Sequence, residues 1–88
     1  MNEYLKIINH YGVNNQLKKL NEEIYELTEA ILENHANTHI VEEFADVLVL
    51  LEQIRQKYNI DIENVTNCMK YKVKRQLQRV ENECEVSK

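Results

Sequence analysis

Helix-breaking residues are almost missing from this chain: it has no proline, and Gly12 is its one glycine in 88 residues. Glycine and proline are the usual punctuation of a fold, one because it takes positive φ cheaply, the other because it lacks a backbone donor. Without them the chain turns on Asn, Asp and His, and the intervening stretches, rich in Leu, Ile, Val, Glu, Lys and Gln, favour helix. The expected fold class is all-α.

Apolar spacing divides the chain into helices. Glu3 to Asn9, with Tyr4, Leu5, Ile7 and Ile8, reads as a short amphipathic helix broken by His10-Tyr11-Gly12. A long helix is expected from about Asn14 to Glu33, with Asn14 or Asn15 as N-cap and a stripe of Leu17, Leu20, Ile24, Leu27 and Ile31. The polar connection Asn34 to Asn37 is short enough for an antiparallel helix pair. From about Thr38 to Lys57 the apolar positions Ile40, Val41, Phe44, Val47, Leu48, Leu50, Leu51 and Ile54 cover an arc too wide for one buried face. That helix is therefore expected to be central or to contact a second subunit. Tyr58-Asn59-Ile60 makes a turn, and Asp61 can cap a last helix whose Ile62, Val65, Met69, Val73, Leu77, Val80 and Cys84 alternate almost as a heptad. The expected architecture is an antiparallel bundle of three main helices plus a short N-terminal one, forming a single domain over residues 1–88. Fraying is expected over residues 83–88. A core this small is marginal alone, which favours completion by oligomerisation.

Several classes drop out. No apolar run approaches the roughly 20 residues of a membrane-spanning helix. The start Met1-Asn2-Glu3-Tyr4 has neither a basic nor an apolar leader region, so no signal peptide is expected. Cys68 and Cys84 lie too far apart on one predicted helix to pair, and neither has neighbours suggesting zinc or a thiol catalyst; a reducing, cytoplasmic setting is expected. With a net charge of −4 the chain is a poor partner for nucleic acid.

The charges are segregated. Between Asn21 and Ile54 stand nine acids (Glu22, Glu23, Glu26, Glu29, Glu33, Glu42, Glu43, Asp46, Glu52) and no Lys or Arg. Residues three apart share a helix face, so Glu23 projects with Glu26, and Glu43 with Asp46. Glu43 falls inside the apolar arc with Val47, Leu50 and Ile54, and Asp46 at its edge. Glu23 borders the Leu20–Leu27 stripe, with Glu26 further round. A Glu-rich helix is ordinarily just solvated, but two such pairs on adjacent antiparallel helices can converge. Burying that cluster unpaired would cost several kcal/mol per charge, so it invites a hard cation, Mg²⁺ first and Mn²⁺ next. Lys70, Lys72, Lys74, Arg75 and Arg79 fall within ten residues that hold no acid. They either solvate the last helix or, through Lys72, Arg75 and Arg79, form a ridge aimed at phosphate oxygens. Tyr11, Tyr25, Tyr58 and Tyr71 are expected to be half-buried packing residues, and His10, His35 and His39 to cap or face solvent.

The pattern Glu22-Glu23-x-x-Glu26 followed by Glu43-x-x-Asp46 resembles the EExxE…ExxD signature of the MazG-type all-α nucleoside triphosphate pyrophosphohydrolases. The approach His10-Tyr11-Gly12-x-x-x-Gln16-x-x-Lys19 is similar to the entry into that family's first catalytic helix, and Lys72-Val73-Lys74-Arg75 to its later basic motif. The likeness covers about residues 10 to 82. An Asn often found near that basic motif has no clear counterpart here. The resemblance implies a compact single-domain enzyme that cleaves a nucleoside triphosphate between the α and β phosphates. Glu23, Glu26, Glu43 and Asp46 would hold Mg²⁺, with Glu22 as a supporting acid or water orienter. Gln16 and Lys19 would line the same cleft, and Lys72, Arg75 and Arg79 would meet the phosphates. It further implies a homodimer or homotetramer with sites built from two subunits. The rivals are a non-catalytic dimerisation or regulatory module of the same fold, a hydrolase of an alarmone or modified nucleotide, and a nucleic-acid-binding domain using Lys70 to Arg79.

Overall fold

The computed structural model describes residues 2–86. Four helices follow in order, α1 (Glu3–Tyr11), α2 (Val13–Leu32), α3 (Asn37–Lys57) and α4 (Ile62–Val86), with no strand among the described residues. The all-α expectation holds. α4 continues to Val86 through most of the stretch expected to fray, and residues 87–88 lie outside the described ones.

The helix ends show how the chain turns without proline. Asn2 caps α1, its Oδ1 accepting from the Tyr4 N–H at 2.8 Å. α1 runs two residues past its expected end, through His10 and Tyr11, and Gly12 alone makes the corner. The expected caps Asn14 and Asn15 instead lie inside α2, whose N-cap position is Gly12, without a side-chain cap. Asn15 serves the junction differently: its Nδ2 donates to the Tyr11 carbonyl at 2.8 Å, satisfying an end of α1. Gly12 has φ 93° and ψ 148°, a region closed to side chains, although a Cβ there would meet nothing within 4 Å. Substituting Gly12→Ala is thus a test of backbone strain alone. It is expected to cost about 1–3 kcal/mol and lower the melting temperature by several degrees in a thermal scan. An unchanged melting temperature would mean that this corner relaxes.

The other two corners repeat one device. Asn34 (φ 56°) and Asn59 (φ 53°) take the left-handed conformation in place of glycine. At each, two amides reach back: Asn34 to Ile31 and His35 to Ala30, then Asn59 to Gln56 and Ile60 to Arg55. This is the Schellman closure of a helix C-terminus. Arg55 reinforces the second corner by donating to the Ile60 carbonyl and to both Glu52 oxygens. Asp61 then opens α4 as expected, its Oδ1 accepting from the Glu63 N–H at 3.2 Å.

α2 and α3 run antiparallel: Gln16 meets Gln53, and about two to three turns along, Glu23 meets Asp46 and Glu43. α1 lies against α3, tied by Lys57 Nζ donating to Asn9 Oδ1 at 2.6 Å, and also touches α2. Ile8, Ala30 and Leu50 are the fully buried apolar residues of this three-helix unit. α3 is central, as its wide apolar arc predicts, yet Val41, Phe44, Leu48 and Leu51 on it remain about half exposed. α4 packs along none of the others; its Met69, Val73, Leu77 and Val80 are all exposed. The radius of gyration, 17.0 Å, accordingly exceeds the roughly 12 Å of a compact chain of this length. Four of the five tyrosines depart from expectation: Tyr11, Tyr25, Tyr58 and Tyr71 are exposed rather than half-buried. No described helix is long and apolar enough to cross a membrane.

Candidate functional site

Three carboxylates meet where α2 crosses α3. Glu23, Glu43 and Asp46 each offer an oxygen, and the three lie within 4.8 Å of one another. Their burial follows the helical phase of their positions: Glu43, in the apolar arc of α3, is buried; Glu23, bordering the α2 stripe, is half-buried; Asp46, at the edge of the arc, is exposed. Glu43 Oε2 and Glu23 Oε2 are both shut off from solvent and have no hydrogen-bond partner.

Electrostatics set this group apart from the other acids of the run. Glu52 is answered by Arg55, whose guanidinium, with Gln56, holds the Glu52 carboxyl down to about 2. Glu33 has His35 Nε2 at 3.0 Å. Glu29 accepts from the Tyr25 hydroxyl at 2.6 Å, which raises that phenol's pKa. Around the three converging carboxylates the described residues include no Lys or Arg within ion-pair distance; the nearest basic side chain is His39, 3.8 Å from Glu43 Oε1. Desolvation therefore pushes the Glu23 carboxyl up to about 7, with help from the charges of Glu26 and Asp46 and from close contact with Glu43. Buried acids without a cation behave this way.

Glu26 is exposed and stands outside the group of three, yet its charge is the second-largest influence on Glu23. Glu22 is exposed one position before Glu23. Gln16 and Lys19 do share a cleft with an acid of the cluster: they line a cavity of about 480 Å³ together with Asp46. Lys72, Arg75 and Arg79 do not join the acids within one chain. All three are exposed on α4, and Arg75 lines a separate groove with Tyr71, Lys74 and Gln78.

Gln53 is a candidate site residue that the sequence did not single out. It is 2 % exposed, and its Oε1 accepts from Gln16 Nε2 at 2.9 Å at the wall of the 480 Å³ cavity. The signal was a polar residue seven places beyond Asp46 and three beyond the buried Leu50, in the inward register of α3.

The chemistry available is that of a hard cation. Each donor is a carboxylate oxygen, two oxygens are buried with their lone pairs unused, and one acid already retains a proton near neutrality. That donor set fits Mg²⁺ or Mn²⁺ in preference to softer metals. Among known families, the model of the MazG nucleotide pyrophosphohydrolase domain matches residues 12–80. No curated protein and no solved structure shows significant similarity to the chain.

Proposed function

Because the chain belongs to the MazG nucleotide pyrophosphohydrolase family, we propose that it is a Mg²⁺-dependent nucleoside triphosphate pyrophosphohydrolase, with Mn²⁺ as the alternative ion. The observation that carries this reading is the pair of buried, partnerless oxygens on Glu23 and Glu43, beside Asp46. Glu23, Glu43 and Asp46 would hold the ion, and Glu26 would complete the set from the next position on the α2 face. When bound, the ion supplies positive charge to the phosphate oxygens and makes a water more acidic.

The reaction is hydrolysis at the α-phosphorus. Water attacks it, the bond to the α–β bridging oxygen breaks, and a nucleoside monophosphate and pyrophosphate leave. Glu22 orients the water and receives its proton. Lys19, on the cavity wall beside Asp46, meets the triphosphate. The remaining negative charge calls for more cations than one chain places there. Lys72, Arg75 and Arg79 would come from a second copy whose α4 covers the exposed apolar faces of α3 and α4. A homodimer, or a tetramer of such pairs, is thereby part of the proposal.

Incubating the purified protein with each dNTP and NTP plus Mg²⁺ tests the reading directly. Pyrophosphate in step with nucleoside monophosphate is expected, and none with EDTA. Phosphate release instead would place the cleavage elsewhere, and no release from any nucleotide, alarmones and modified nucleotides included, would leave a helical interaction module.

A further inference from the structure

We propose that the Gln16–Gln53 pair is the base-reading element of this site, recognising a nucleobase through an adjacent hydrogen-bond donor and acceptor on its edge. This inference rests on the nucleotide reading above and assigns the end of the substrate that the carboxylates do not touch.

The two amides are buried, 5 % and 2 % exposed, and joined by one bond of 2.9 Å. A primary amide pair joined once keeps one carbonyl oxygen and one amino group wholly unused. Here these are Gln16 Oε1 and Gln53 Nε2, which have no other partner among the described residues and are not sealed from solvent. The open space they border is the cavity of about 480 Å³, which also holds Asp46 and Lys19. Its volume lies within the roughly 300–1,000 Å³ of small-molecule sites. Ile7, Val49 and Leu50 supply apolar walls. An acid, a cation, apolar walls and an amide pair lining one cavity suit the phosphates and base of a nucleotide.

The polarity carries the specificity. As arranged, the pair accepts from an exocyclic amino group and donates to the neighbouring ring nitrogen, the edge shared by cytosine and adenine. Turning both amides over keeps their mutual bond and reverses the presentation, which suits uracil, thymine or guanine. Either way one donor and one acceptor are shown, so a base lacking half of that edge leaves a buried amide group unpaired.

The test is calorimetric binding of non-hydrolysable α,β-imido triphosphates with Mg²⁺, using inorganic tripolyphosphate as the ligand without a base. Wild type is expected to bind the cytidine and adenosine analogues about tenfold or more tighter than their counterparts lacking the amino group, 2-pyrimidinone riboside and purine riboside. Gln53→Met, similar in volume and checked for helicity by circular dichroism, is expected to erase that preference while tripolyphosphate binds within about twofold of wild type. Equal loss for tripolyphosphate, or a preference that survives in Gln53→Met, overturns the proposal. The readout is separate from turnover. Base-dependent binding without pyrophosphate release would sink the hydrolase and spare the subsite. Turnover with base preferences unmoved by Gln53→Met would do the reverse, and no binding of any analogue would sink both.

Discussion

Replacing Glu43 with Gln is expected to lower pyrophosphate release at least about a thousandfold and, in the same protein, to raise the melting temperature measured without metal. The two effects have one origin. Glu43 is buried, its Oε2 has no partner, and it lies against the carboxyls of Glu23 and Asp46. In the metal-free protein this is a desolvated acid among acids, an arrangement that opposes folding. An amide of nearly the same shape removes that charge and brings a donor that Glu23 can accept from. The expected gain is on the order of 1–3 kcal/mol. For a domain this size it would raise the melting temperature by several degrees or more. The gain vanishes under saturating Mg²⁺, because wild type alone is then stabilised by the bound ion. Asp46→Asn is the matching comparison. Asp46 is exposed, so its loss removes activity with little change in metal-free stability. A fall in stability for Glu43→Gln would show that Glu43 holds the fold together. Activity within tenfold of wild type would remove it from the site.

That burial order was legible before any coordinates. Helical phase alone places Glu43 inside the apolar arc, Glu23 beside the α2 stripe and Asp46 at the edge, and the structure buries them in that sequence. Phase likewise put Glu26 further round from the stripe than Glu23, and Glu26 is exposed outside the three. Gln53 escaped because one amide in a wide apolar arc reads as its boundary until a partner such as Gln16 is found across the interface. The cap of α2 was misplaced because Asn14 and Asn15 have strong capping propensity, while the positive φ of Gly12 decides where the chain turns. The stripe of α4 was correctly periodic, but periodicity records an apolar face and not what covers it. In the single chain Met69, Val73, Leu77 and Val80 are uncovered, and the basic residues beside them are held away from the acids.

Magnesium affinity should rise with pH up to neutrality and then level off, and the stability of the metal-free protein should move the opposite way. Burial and neighbouring acids raise the Glu23 carboxyl from its ordinary 4.5 to about 7 in the folded chain. The folded state thus holds a proton that the unfolded state releases at lower pH. Its stabilising contribution is complete below about 4.5 and is lost as pH rises through about 7, beyond which nothing further is lost. The span corresponds to roughly 2–3 kcal/mol at most. A cation bound by Glu23 has to displace that proton. Affinity should therefore climb by up to about tenfold per pH unit below neutrality, with up to one proton released per ion. The Glu52–Arg55 pair acts on the acid side, since a carboxyl held at about 2 loses its support as pH falls from about 4.5 through about 2, below the range in which Glu23 acts. Titrating Mg²⁺ by calorimetry in buffers of different ionisation enthalpy counts the proton. Thermal scans of wild type and Glu23→Gln between pH 5 and 8.5 isolate its source, because subtracting the variant removes every group the two proteins share. Wild type should lose stability across this range relative to Glu23→Gln. Parallel curves, or an affinity for Mg²⁺ that ignores pH, would mean that Glu23 is already ionised in the free protein and that its buried oxygen is answered by something other than a proton or a metal.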